Sequence, residues 1–233
     1  MKINNEPISK YGAKLLTFEI QAAQDATAVE WIDKAILPTP GDTTITFGSA
    51  TAVLYFRGTT LDEIIRNIAQ VLERLKDEAL LKVPGYRGEY VAYLTGSQID
   101  KVQRSKTRRK LTLTFKGYLR GDKQRREFWG VTTAKLTRVG ARPAPVILTI
   151  SPEMDMDTFT VAGLTETPIV ISNLTAVAAV TIDGRDGTAW ENGVSKNADV
   201  DLWEPPALRE SETTLEFSRA DAKVTVEYLP VWL

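Results

Sequence analysis

The stretch VTIDGRDGTAWENG (residues 180–193) packs two Asp-Gly pairs, one Asn-Gly pair and one further carboxylate, Glu191, into fourteen residues. Asp183, Asp186 and Glu191 offer oxygens to a cation, but their spacing does not match a calcium loop with acids at alternate positions closed by a Glu. Asp-Gly and Asn-Gly are favoured in tight hairpins, where both central residues take positive φ. Val180 and Ile182 lead into the first pair as a strand does. The stretch therefore reads as a chain that reverses direction more than once.

Working outward, the flanking sequence repeats this pattern. Short runs rich in β-branched and aromatic residues lie at 146–150, 158–161, 168–172, 177–182, 200–203, 213–217 and 223–228. Turn residues separate them at intervals of about ten, which predicts an antiparallel β-sandwich. Upstream, GARPAPVILTISP (140–152) carries two stiffening prolines and marks a boundary. The sequence thus predicts a mainly β protein of two domains, 1–140 and 141–233.

The first domain reads as strands around one helix. KLLTFEI (14–20), AVEWIDKAIL (28–37), TITF (44–47), TAVLYFRG (51–58), EYVAYLTG (89–96) and KLTLTFKGYL (110–119) are the strands, with PTPGDTT (38–44) as a turn. In TLDEIIRNIAQVLERLKDEAL (60–80), Leu61, Ile64, Ile65, Ile68, Val71, Leu72 and Leu75 recur at helical spacing, and Thr60 with Glu63 forms a capping box. The helix is expected over about 60–80, with its apolar stripe in the core.

Two absences narrow the chemistry. The chain has no Cys and no His, so no thiolate or imidazole is available as nucleophile, metal ligand or neutral-pH acid–base group. No apolar run reaches the roughly 20 residues of a bilayer span, and the first residues do not read as a signal peptide. A protein made in a cytoplasm, without membrane contact, cofactor or metal and without enzymatic activity, is expected. The net charge of −1 conceals an asymmetry: residues 1–142 hold 24 Lys/Arg against 15 Asp/Glu, and residues 143–233 hold 5 against 15. Opposite signs suit subunits that attract one another.

The basic segment 101–126 carries eleven Lys/Arg against Asp122 alone. It lies in no nucleic-acid motif, so a solvated or subunit-facing hairpin is the better reading. Asp155 and Asp157 form an acidic turn rather than a site. A glycosidase needs two acids at a set separation, and nothing in the spacing marks such a pair.

In order, PVILTI, FTVAGLTETPIVISNL, VTIDGRDGTAWENG, DVDLWEPPALRESETTLEF and VTVEYLPVWL resemble the C-terminal domain of the distal tail proteins (Dit family) of long-tailed, non-contractile bacteriophages. The turn LRESETT (208–214) departs from the family pattern by lacking a glycine. INNEPISKYGAKLLTFEI, the Pro40-Gly41 hairpin, the helix, YVAYL and KLTLTFKGY extend the resemblance over the N-terminal half.

The resemblance implies a structural virion protein at the tail tip or baseplate. Its N-terminal domain would form a homo-hexameric ring with an extended hairpin arm at about 21–48, and its C-terminal domain would be a galectin-like β-sandwich. The implied partners are the major tail tube protein, the tail-associated tip protein, the tape-measure protein and receptor-binding or accessory baseplate proteins, with genomic DNA passing through the lumen unread. Trp31, Ile36, Pro40, Gly41 and Phe47 of the arm, and Arg104, Arg108 and Arg109 of the basic strand, are the expected interface residues. An alternative is a carbohydrate-binding module that stacks sugar on Trp190, Trp203 and Tyr228.

Overall fold

Asn4 and Asn5 both take left-handed backbone, with φ of 49° and 67°. That is the two-residue turn joining β1 (Lys2–Ile3) to β2 (Glu6–Pro7). The computed structural model describes residues 1–22, 26–30, 39–44, 47–103 and 105–232, the side chains of 26–30 and 39–44 excepted. These residues form two compact units, dividing between Arg120 and Gly121.

The first unit continues with β3 (Ala13–Gln21), β4 (Ala26–Glu30), β5 (Thr39–Thr44), β6 (Gly48–Arg57), α1 (Leu61–Glu73), β7 (Ala79–Lys82), β8 (Glu89–Lys101) and β9 (Arg108–Arg120). Its main sheet runs β2-β1-β7-β8-β9-β6-β3 with every pair antiparallel. Strict alternation along β6 and β9 sends Ala50, Ala52, Leu54, Phe56, Leu111, Leu113 and Phe115 to one face, where α1 covers them.

The helix is shorter than expected, because Ala79 and Leu81 alternate as strand residues and are drawn between β1 and β8 as β7. Its buried stripe is narrower too. Ile64, Ile68, Val71 and Leu75 are buried, each contributing about 1.5–3 kcal/mol, whereas Leu61 and Ile65 stand exposed on the flank. The cap is displaced by one residue. The Thr60 hydroxyl accepts from the Glu63 N–H at 3.2 Å, but the Glu63 carboxylate accepts from the N–H of Thr59, at 2.8 Å, instead of Thr60.

The second unit holds β10 (Gln124–Phe128), β11 (Thr133–Thr137), β12 (Ala144–Pro152), β13 (Met156–Ala162), β14 (Ile169–Leu174), β15 (Val180–Asp183), β16 (Thr188–Glu191), β17 (Val194–Ser195), β18 (Val200–Asp201), β19 (Ala207–Leu208), β20 (Glu212–Phe217) and β21 (Ala222–Tyr228). One sheet runs β10-β21-β12-β15-β16-β17, with β19 also on β12, and the other runs β11-β20-β13-β14-β18. Val146, Leu148 and Ile150 from the first meet Phe159, Val161, Ile171 and Leu215 from the second in one core. Phe159 and Phe217 stack at 6.4 Å within it. This is an antiparallel sandwich.

The boundary lies about twenty residues earlier than the expected 140/141. Residues 124–137 belong to the second unit because β10 pairs with β21 and β11 with β20, while Phe128, Ala134 and Leu136 join its core. At β10 the end of the basic segment is met by carboxylates: Lys123, just before the strand, by Glu227 at 2.6 Å, and Arg125 by Glu127 at 2.5 Å and by Glu227 at 3.7 Å.

Candidate functional site

The main sheet of the first unit leaves two long backbone edges open. β7 pairs with β8 only at Tyr90, Val91 and Ala92, so among the described residues 93–101 of β8 pair on one side alone. At the opposite margin β3 pairs, among the described residues, only with β6. The two edges lie at the same height. Following the registers across the sheet, Tyr93 lies level with Lys116, Ser49 and Gln21, and Lys101 lies level with Arg109, Phe56 and Ala13. Each edge also carries one bulged position, at Thr95 and at Leu16.

The face turned away from α1 is polar and positive. Lys14, Arg57, Arg108, Lys110 and Lys116 share it with Glu19 and Asp100, around a centre of Thr17, Thr51, Thr112 and Thr114. At the start of the open β8 edge, the Tyr93 phenol donates to Glu78 at 2.6 Å, which pushes its pKa up to about 12. Such a phenol stays protonated throughout the physiological range.

The expected interface residues fare differently. Phe47 is exposed and stacks on Tyr118 with ring centres 6.3 Å apart. Arg108 opens β9 on the exposed face. Arg109, its neighbour, alternates onto the core face and is buried, its guanidinium donating to the Arg108 carbonyl at 2.7 Å. It has little side chain to offer a partner. Pro40 and Gly41, expected at a turn, lie within β5. Val29 pairs with Pro40 and Thr27 with Thr43, so Gly41 and Asp42 together oppose Ala28 as a bulge. A proline is tolerated there because, among the described residues, each strand of this two-stranded ribbon has a free side. Trp31, Ile36 and Arg104 lie outside the described residues.

The stretch 180–193 resolves into three different turns. Asn192 and Gly193 (φ 49° and 81°) form the two-residue hairpin between β16 and β17 that the Asn-Gly pair predicts. Gly187 (φ 72°) closes a four-residue loop between β15 and β16. Gly184 has no positive φ; it is a glycine for lack of room. A Cβ there would lie 2.1 Å from the Pro206 carbonyl oxygen and 2.6 Å from that of Val146. The carboxylates go to separate partners. Asp183 binds Arg185, Asp186 accepts from the Thr188 N–H at 3.0 Å, and Glu191 binds Lys196 at 2.8 Å. Asp155 accepts from the Ala176 N–H at 2.7 Å. Among the described residues no group of acids is placed to hold a metal ion.

Of the three aromatics considered for sugar stacking, Tyr228 is 4% exposed and its hydroxyl accepts from the Val139 N–H at 2.9 Å. It is a core residue and offers no platform. Trp190 is half-exposed, with its indole N–H on the Thr188 hydroxyl, and Trp203 is 81% exposed.

No protein-family model matches the chain, and no curated protein matches it. Solved structures do. A chain of the phage P2 baseplate in its activated conformation with Ca is 11% identical, with a TM-score of 0.50 over 94% of this chain and 91% of that one. The SPP1 Dit protein (gp 19.1), described as a paradigm of the hub adsorption apparatus in phages infecting Gram-positive hosts, is 9% identical. It superposes with a TM-score of 0.79 over 100% of this chain and 98% of that one. From end to end, then, this chain has the fold of a phage tail hub protein of the Dit type.

Proposed function

We propose that the chain is a distal tail hub, a non-enzymatic virion protein whose copies close into a ring of six between tail tube and tail tip. The observation that carries this reading is the pair of open edges. β8, β9, β6 and β3 alternate in direction, so a second copy's β3 laid on the open part of β8 continues the sheet antiparallel. The contact uses two different patches, is therefore head-to-tail, and closes into a ring when the rotation per copy allows it. With strands nearly parallel to the ring axis, as the level edges imply, four strands per copy at about 4.8 Å spacing give six copies a barrel about 37 Å across, and a wider one if the strands tilt. Side chains of about 5 Å on each wall leave a channel of roughly 25 Å, room for a nucleic-acid duplex. The helix-covered face lies outside such a barrel, and the threonine- and lysine-bearing face lines the channel.

In this reading the tube protein, tip protein and tape-measure protein meet the ring. The second unit, a galectin-like sandwich, anchors receptor-binding or accessory proteins, and DNA passes through without sequence readout. The arm around β4 and β5 adds to the grip on the neighbour. The absence of cysteine allows a clean test. With Gln98→Cys on β8 and single cysteines at Lys14, Thr17, Glu19 or Gln21 of β3, one preferred pair should form intermolecular disulfides under mild oxidation. Failure of all four pairs would remove the edge-to-edge ring.

A second reading rests on Trp203, whose exposure suits an aromatic platform for sugar. Binding of host cell-wall polysaccharide lost in Trp203→Ala would favour it, and intact binding would discard it.

A further inference from the structure

Four loops of the second unit converge at one end of the sandwich and are tied together by hydrogen bonds. The Glu153 N–H donates to the Asp221 carbonyl at 3.0 Å, the Val177 N–H to the Pro152 carbonyl at 3.0 Å, and the Phe217 N–H to the Thr132 carbonyl at 2.8 Å. Three of the four loops present apolar surface. Trp129 is 68% exposed and Val177 86%, and Val131 and Met154 are exposed as well. Scattered apolar side chains are ordinary on a surface, but four on loops fastened to one another form a patch.

Two details suggest that the patch is built for contact. The Trp129 indole N–H is held by the Glu153 carboxylate at 2.6 Å, which fixes the ring while leaving it bare. Val177 has φ of 64°, a left-handed conformation that is an outlier for a β-branched residue. Such strain persists where surrounding bonds enforce it, and it clusters at binding sites. A glycine would fit Val177's backbone without strain, yet the chain places an exposed isopropyl group there.

The rim is acidic. Glu153, Asp155 and Asp221 lie on these loops and Asp157 at the start of β13, with Arg219, itself bound to Asp221, as the cation on the same loops. Arg219 also lies 3.6 Å from the Met154 sulfur and feels the charge of Asp157. An apolar centre within a negative rim fits a protein partner that brings an aromatic or aliphatic anchor flanked by Lys or Arg. The same rim disfavours anionic lipid or anionic polysaccharide.

We infer that this end of the sandwich, centred on Trp129 and Val177, is a protein-docking surface for a basic segment with an apolar anchor. The inference rests on the hub reading only in taking a protein as the occupant.

The test is selection from a random peptide library on the immobilised full chain, followed by titration of the enriched peptides. The expected peptides carry an aromatic or aliphatic residue beside Lys or Arg and bind more weakly as salt rises. They should lose about tenfold or more in affinity to Trp129→Ala, and none to Trp203→Ala on the same unit. Val177→Gly should raise the melting temperature while weakening the same peptides. Failure to enrich any peptide, or peptides indifferent to both Trp129→Ala and Val177→Gly, would overturn the assignment. The ring is measured separately, by the solution mass of the same proteins. A monomer that binds these peptides would refute the ring and spare the docking surface, and a ring that does not bind them would do the reverse.

Discussion

The ammonium of Lys196 lies 2.8 Å from a carboxylate oxygen of Glu191 and 2.9 Å from the Asn173 carbonyl, at a position only 7% exposed. Asp199 stands 3.5 Å away on the other side. One cation thus fastens the end of β14, the strand β16 and the short 3-10 turn Asn197–Asp199 that follows β17. The second Glu191 oxygen is buried without a hydrogen-bond partner among the described residues.

Removing the cation from this cluster should therefore be costly. Lys196→Met is expected to destabilise the second unit by roughly 1–3 kcal/mol, because it leaves the partly buried Glu191 carboxylate without its cation. Adding Glu191→Leu to that variant should recover much of the loss. Denaturant unfolding followed by Trp fluorescence checks both, and a Lys196→Met protein as stable as the parent would show that the cluster contributes nothing.

The glycines of the opening stretch should rank by space rather than by φ. Gly184→Ala drives a methyl into two carbonyl oxygens and is expected to cost more than Gly193→Ala, where nothing lies within 4 Å of the new Cβ and about 1 kcal/mol of left-handed strain is the whole penalty. Melting temperatures of the two variants in one buffer decide it. Equal shifts, or a larger one for Gly193→Ala, would contradict the packing argument.

Much of this was legible in the sequence, for physical reasons that differ by element. The alternation of Leu111, Leu113 and Phe115 and the 64–68–71–75 spacing are periodic signals, and strand and helix followed from them. Asn192-Gly193 encodes its own turn. What stayed hidden depends on pairing between distant segments. Whether β8 has a neighbour along residues 93–101 is decided by where β7 stops, and no local pattern records that. The same holds for residues 124–137, whose alternation is that of any strand; only their partners β21 and β20 assign them to the second unit. Gly184 shows the limit most clearly, since its crowding comes from Val146 and Pro206 across the fold.

The helix cap offers a local check. Thr60→Ala should cost about 1 kcal/mol, since it strands the Glu63 N–H at the first turn. Thr59→Ala should cost less, because Glu63 keeps its bond to the Thr59 backbone. The reverse order in chemical denaturation would make the Thr59 hydroxyl, rather than the Thr60 cap, the main support of the first turn.

Acid should weaken the fold where neutral pH does not. The Asp183 carboxyl is held below its ordinary range, first by its hydrogen bond from the Arg185 guanidinium and then by the Arg185 backbone N–H. Glu63 is likewise lowered, chiefly by the Thr59 hydroxyl, and Asp221 by Arg219. A depressed folded-state pKa gives stability that is present above the unfolded value near pH 4 and is lost as pH falls through the folded value. With no His, no imidazole titrates between pH 6 and 8. Melting temperatures should be level across roughly pH 6–8 and fall below about pH 4, less steeply in Asp183→Asn. An Asp183→Asn protein with the parent's acid limb would refute the assignment of this share to Asp183.

The ring is tested most directly by the mass of the purified chain in solution, measured by light scattering behind size exclusion. Edge-to-edge closure predicts a species near six times 25.8 kDa, seen as a ring with a central channel by negative-stain microscopy. A strict monomer at every concentration, alone and with its tube protein, would contradict the account.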